Sequence, residues 1–135
     1  MMKKSGLFLA ILLLLQAKAY ALGLGNVDLH SQLGEKLNAT MPIIGMENWE
    51  ITDINVAIAS QETYKKLGID FMPGHLKLNF QIKMNERHKP VLFITTKDSI
   101  KEPYLNFVLE VSSPQGRMLK NVSLLLDTPD AAGSQ

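Results

Sequence analysis

The residues able to do chemistry are few, and their spacing does not bring them together. The three histidines, His30, His75 and His88, stand in three separate segments with no H-x-x-x-H pair and no partnered acid, so no metal centre is expected from them. Nucleophilic catalysis needs an activated Ser or Cys. The chain has no cysteine and no G-x-S-x-G elbow. Gly23 and Gly25 lie near the start of the chain and not between a strand and a helix, where a phosphate loop would need them. The expectation is therefore a protein with no catalytic residue, no metal site and no cofactor.

Two features are suited to binding. Lys83, Arg87, His88 and Lys89 gather around a single acid, Glu86, a local charge that attracts anionic groups. The lone tryptophan, Trp49, is either a partner anchor or a plug in the hydrophobic core. A strongly basic nucleic-acid binder is excluded, because the whole chain of 135 residues carries a formal net charge of only +1 and has no excess of Lys and Arg to neutralise a run of phosphates.

That charge belongs partly to an address segment. Met1 to Ala21 reads as a basic start with Lys3 and Lys4, an apolar run from Leu7 to Leu15, and a small-residue site at Ala19-Tyr20-Ala21, the three zones of a cleavable secretory signal peptide. At about 1.5 Å per residue the apolar run crosses less than half of a roughly 30 Å hydrocarbon core. Cleavage after Ala21 takes 21 of the 135 residues and leaves 114, with 11 basic and 13 acidic side chains and a net charge of −2. The mature chain is expected to be exported, with no membrane span of its own. Lacking cysteine, it must be held by its core alone.

The elements expected to carry these residues are strands. His75 to Met84 alternates Leu76, Leu78, Phe80, Ile82 and Met84 with polar residues, which predicts a half-buried strand. The tip Asn85 to Lys89 leads to a returning arm from Pro90 and Val91 to Thr96. A second hairpin runs from Leu105 to Val111, turns at Ser113-Pro114-Gln115-Gly116 in a type I turn, and returns from Met118 to Leu126. Shorter alternations occur at Val27 to Leu29, Leu37 to Ile44 and Ile54 to Ala59. Only Ser60 to Gly68 reads as helix, with a Ser N-cap, an acid in the first turn, lysines in the last and a C′ glycine. The predicted fold is mainly β, an antiparallel β-sandwich of immunoglobulin-like architecture with one short connecting helix. The predicted organisation is a signal peptide at 1–21, one domain at 22–127 and a flexible tail at 128–135.

Four blocks, in order, resemble a known family. They are Leu22-Gly23-Leu24-Gly25 with Val27 to Ala39; Val56 to Ser60 with Leu67-Gly68-Ile69; Ile100-Lys101-Glu102-Pro103-Tyr104-Leu105-Asn106-Phe107; and Pro114-Gln115-Gly116-Arg117 leading to Leu124 to Asp127. Together they resemble the N-terminal periplasmic domain of the FimV/HubP/TspA proteins. Glu102 to Phe107 is the most specific block. The resemblance implies a polar scaffold family tied to type IV pilus assembly, secretin multimerisation and twitching motility. It also implies a protein-interaction module for an envelope partner such as a secretin or pilus assembly component, and no enzyme.

Full-length members continue into a LysM module, a membrane span and an acidic cytoplasmic region. This sequence has none of these, so the expectation is a short form without peptidoglycan binding. The alternatives are a truncated remnant of a larger scaffold with little independent function, or a ligand-binding or enzymatic β-sandwich. Within the signature, Pro103 should hold Glu102 extended at the start of a strand. Phe107 should lie in the core, and Asn106, facing the other way, should satisfy a neighbouring backbone group.

Overall fold

The structure, a computed structural model, describes residues 22–47, 49–71 and 77–129. The proposed signal segment 1–21, the tail from 130 onward, and His75 and Leu76 of the expected strand lie outside the described residues.

Among the described residues eight strands form two antiparallel sheets. The first contains β1 (Gly23–Leu24), β2 (Asp28–Leu29), β3 (Lys36–Ile44), β5 (Leu78–Met84) and β6 (Pro90–Ser99). Its order is β1, β3, β6, β5, with β2 also on β3. The second sheet holds β4 (Asn55–Ile58), β7 (Tyr104–Ser113) and β8 (Gly116–Leu125), in the order β4, β7, β8. One helix, α1 (Gln61–Leu67), joins β4 to the rest of the chain, and a 3₁₀ turn at Ile51–Asp53 precedes β4.

The alternation read from the sequence is what buries the core. Leu37, Ala39, Met41 and Ile43 of β3 and Leu92 and Ile94 of β6 turn inward from the first sheet. Leu105, Phe107, Leu109 and Val111 of β7, with Val122 and Leu124 of β8, turn inward from the second. These two inner faces interdigitate as the two layers of a sandwich. Pro90 stands at the first position of β6, opposite Met84, where its missing N–H is tolerated. In the β7–β8 hairpin Ser113 pairs with Gly116. Neither Pro114 nor Gln115 has a positive φ, as the expected type I turn requires.

Two irregularities have local causes. β1 and β2 are one edge strand interrupted at Gly25, whose N–H donates to the Pro42 carbonyl at 2.8 Å. A Cβ on Gly25 would lie 2.5 Å from Pro42 Cγ, so only glycine fits there. The register between β3 and β6 shifts between Lys36 and Asn38. At that bulge the Thr96 hydroxyl, 6% exposed, accepts from the Leu37 N–H at 2.9 Å and donates to the Asp98 carbonyl at 2.7 Å.

Helix α1 has the caps expected of it. Ser60 Oγ accepts from the Thr63 N–H at 3.2 Å, and Gly68 takes the left-handed φ of 69°. What the sequence did not reveal is its buried residue. Tyr64 is 1% exposed and forms a second, small core with Ala59 and Val108. Because Val108 points opposite to Phe107 and Leu109, this cluster lies on the outer side of the second sheet.

Candidate functional site

The tip between β5 and β6 is built by one side chain. Asn85 Oδ1 accepts from the backbone N–H groups of Arg87 and Lys89, both at 2.9 Å. The main chain adds two bonds, Asn85 N–H to the Lys89 carbonyl at 2.9 Å and His88 N–H to the Asn85 carbonyl at 3.0 Å. His88 absorbs the reversal in a left-handed conformation, φ 57°. An asparagine side chain that imitates a backbone turn in this way holds a loop in one shape. Arg87, His88 and Lys89 are all exposed on it.

Lys83 stands two residues before Asn85, its Nζ 5.5 Å from the centre of the Phe93 ring, within range of a cation–π attraction. The four basic residues singled out from sequence are therefore carried on one end of one hairpin. From 77 to 97 the chain has Lys77, Lys83, Arg87, Lys89 and Lys97 against Glu86 alone. From 45 to 70 the balance reverses, with Glu47, Glu50, Asp53, Glu62 and Asp70 against Lys65 and Lys66. The weak net charge conceals stretches of opposite sign along the chain.

Asn85 is the residue that sequence reasoning passed over. Asn at the first position of a polar turn was the available signal. Asn85→Ala should cost about 1–3 kcal/mol, since two net backbone hydrogen bonds of roughly 0.5–1.5 kcal/mol each are lost. Urea unfolding of the purified variant measures it, and an unchanged midpoint would show that the loop holds without the side chain.

Trp49 is not brought to the tip. It lies in the link between β3 and β4, half-buried against the main core, with its backbone N–H donating to the Met46 carbonyl at 2.9 Å. Two polar side chains that line a depression beside β3 are committed to the backbone. Ser31 Oγ accepts from the Asn38 N–H at 3.0 Å, and Glu35 Oε1 from the Gln32 N–H at 2.8 Å. His30 Nε2 bonds the Thr40 hydroxyl at 2.9 Å and lies 3.8 Å from Asp28 Oδ2. Among the described residues no cluster of three potential metal ligands occurs.

The signature residues are divided between inside and outside. Leu105 and Phe107 are buried, 4% and 3% exposed. Glu102 and Pro103 are exposed ahead of β7, and the Pro103 carbonyl accepts from the Leu126 N–H at 2.7 Å. Asn106 does face away from Phe107, but its partner differs from the expectation. Its Oδ1 accepts from Ser123 Oγ at 3.2 Å across the β7–β8 pair, because antiparallel pairing sets those two side chains directly opposite. Tyr104 OH lies 3.5 Å from the same hydroxyl. Arg117, next to the hairpin-closing Gly116, donates to Glu110 Oε1 at 2.9 Å.

This two-sheet frame matches the family model described as the FimV N-terminal Ig-like domain over residues 22–129. The chain belongs to the FimV N-terminal domain family. Relatives include the motility hub protein FimV of Pseudomonas aeruginosa in strains PAO1 and UCBPP-PA14, each 32% identical over 111 residues. The alignment takes in 82% of this chain but 12% of each FimV relative. No solved structure matches the chain. The FimV-type domain is thus a β-sandwich that positions a basic hairpin tip, and among its described residues no helix is long and apolar enough to cross a membrane.

Proposed function

We propose that this FimV-type domain is a non-catalytic, periplasmic protein-interaction module serving type IV pilus or secretin assembly and twitching motility. The observation that carries the reading is the family match across residues 22–129, together with relatives whose name is motility hub protein. Two further observations support it. Ser31 Oγ, Thr96 Oγ1 and Glu35 Oε1 beside β3 are spent on the domain's own backbone, and Lys83, Arg87, His88 and Lys89 are exposed together at a tip braced by Asn85. Such a tip suits an acidic surface on an envelope protein and steers its approach.

Retrieval from a cell-envelope extract by the immobilised protein tests the proposal. A secretin or pilus assembly component should be captured. The doubly substituted Arg87→Glu, Lys89→Glu protein should capture less of it, and less still as salt is raised. Capture of neither class of component by the unsubstituted protein would overturn the reading.

A further inference from the structure

The second sheet ends on an edge that is long and regular, with Arg117 at its start and one inward-facing charge, Lys120, along it. β8 runs for ten residues, each paired with β7 in unbroken register, and no strand is described on its other side. The remaining edges are blunted in the ways that natural sheets use. β4 has four residues, β1 and β2 have two each, and β5 carries Lys83 and leads into the basic tip. The Leu126 N–H bonds to Pro103 beyond the end of β8, which fixes the alternation along the strand. Even-numbered residues bond to β7, so Leu119, Asn121, Ser123 and Leu125 turn their N–H and C=O groups to the open side. The free stretch stops after Leu125, because the Asp127 carbonyl already accepts from the Leu33 N–H at 2.9 Å.

We infer that this edge pairs with the same edge of a second copy of the chain, antiparallel, about a two-fold axis at Val122. The sequence of β8 is complementary to itself in that register. Leu119 falls opposite Leu125 of the second copy and Leu125 opposite its Leu119. Asn121 falls opposite Ser123, Val122 opposite Val122, and Arg117, which donates to Glu110 of its own copy, falls opposite Asp127. Leu119 and Leu125 are 40% and 69% exposed, and Leu125 is the direct neighbour of Tyr104, 55% exposed. The pairing therefore gathers three exposed apolar side chains at each end of the seam.

The neighbouring registers that keep the hydrogen bonds do not do this. An axis at Asn121 sets Leu119 against Ser123 and Arg117 against Leu125; an axis at Ser123 sets Leu119 against Asp127. The inward-facing lysine, Lys120, lies opposite Leu124 in the favoured register. The two copies of Lys120 then stand about 13 Å apart along the strands, four residues at roughly 3.3 Å each, beyond the screening length of about 8–10 Å at ordinary salt. A C₂ pairing of this kind is isologous and closes after two copies.

The absence of cysteine from the sequence gives a clean register test in the purified chain. In a hydrogen-bonded antiparallel pair the facing Cα atoms lie about 5.5 Å apart, within disulfide reach. Asn121→Cys and Ser123→Cys proteins, mixed under oxidised glutathione, should give a disulfide-linked heterodimer, while either alone should give little. Sedimentation of the unsubstituted chain should show a concentration-dependent dimer. Leu125→Glu, at a position already exposed to water, should weaken it roughly tenfold or more without altering the circular dichroism spectrum. A monomer at the highest soluble concentration, no linkage in the mixture, or efficient linkage of Asn121→Cys protein to itself would each overturn the proposal.

Discussion

Phe107→Ala should lower the unfolding free energy by about 3–5 kcal/mol, the usual cost of emptying a large aromatic site in a packed core. Phe107 is 3% exposed in the middle of β7, within the cluster shared by both sheets, and β7 is central in its own sheet with β4 and β8 on either side. Neighbours held by two ladders have little freedom to collapse into the space left behind. A domain spanning residues 22–129 has a total stability of roughly 5–16 kcal/mol at the usual 0.05–0.15 kcal/mol per residue, so one substitution removes a large share. Urea or thermal unfolding monitored by circular dichroism is the measurement. A midpoint that does not move would mean that β7 presents its other face to the core.

The second large effect is expected at Tyr64. Tyr64→Ala should cost about 3–5 kcal/mol for the same reason of volume, and Tyr64→Phe separates the hydroxyl from the ring. The Tyr64 hydroxyl accepts from the Val108 N–H at 2.7 Å in a buried site. β4 stops pairing with β7 at Ile58, and the Ala59 N–H makes the last main-chain bond to the Val108 carbonyl at 2.9 Å. Beyond it the tyrosine oxygen stands where the next strand residue would have supplied an acceptor. Tyr64→Phe leaves that N–H without a partner at a cost of about 1–3 kcal/mol. Amide exchange at Val108 should quicken more than at Phe107 or Leu109. Equal protection at all three would show that the hydroxyl is dispensable.

The strands were legible because a strand with one wet face writes its burial as a period of two. Leu105, Phe107, Leu109 and Val111 are all inward, and of the alternation read from His75 to Met84 the structure half-buries Leu78, Phe80 and Ile82, whereas Met84, expected on the same side, is 50% exposed at the end of β5. Helix α1 was legible from its caps, which are local. Tyr64 was not, because its role depends on Val108, 44 residues away, and a lone tyrosine among Thr63 and Lys65 has no apolar stripe to mark it. Val108 faces away from Phe107 and Leu109, and its complete burial comes from the helix laid over it.

The basic tip was legible as composition, whereas its rigidity was not, since it rests on two hydrogen bonds to Asn85. The partner of Asn106 was missed for a similar reason. Which backbone or side chain stands opposite a residue is a matter of register, and register between β7 and β8 is set by the turn at Ser113 to Gly116.

The order of strands also governs the time course of folding. β3 finds its long partner only in β6, with Ala39 opposite Ile94, 55 residues later in the chain, and β4 waits for β7, Ile58 opposite Leu109. The hairpins β5–β6 and β7–β8 are local and of the kind that closes in microseconds. The distant pairings must first overcome the entropy of long loops, which places the domain among the slower folders for its size. A chain emerging from its N-terminus therefore presents β3 and β4 with apolar faces and an unpaired edge each until some 50 to 55 further residues have followed. Throughout that interval its solubility rests on whatever else binds extended strands in the compartment where it folds.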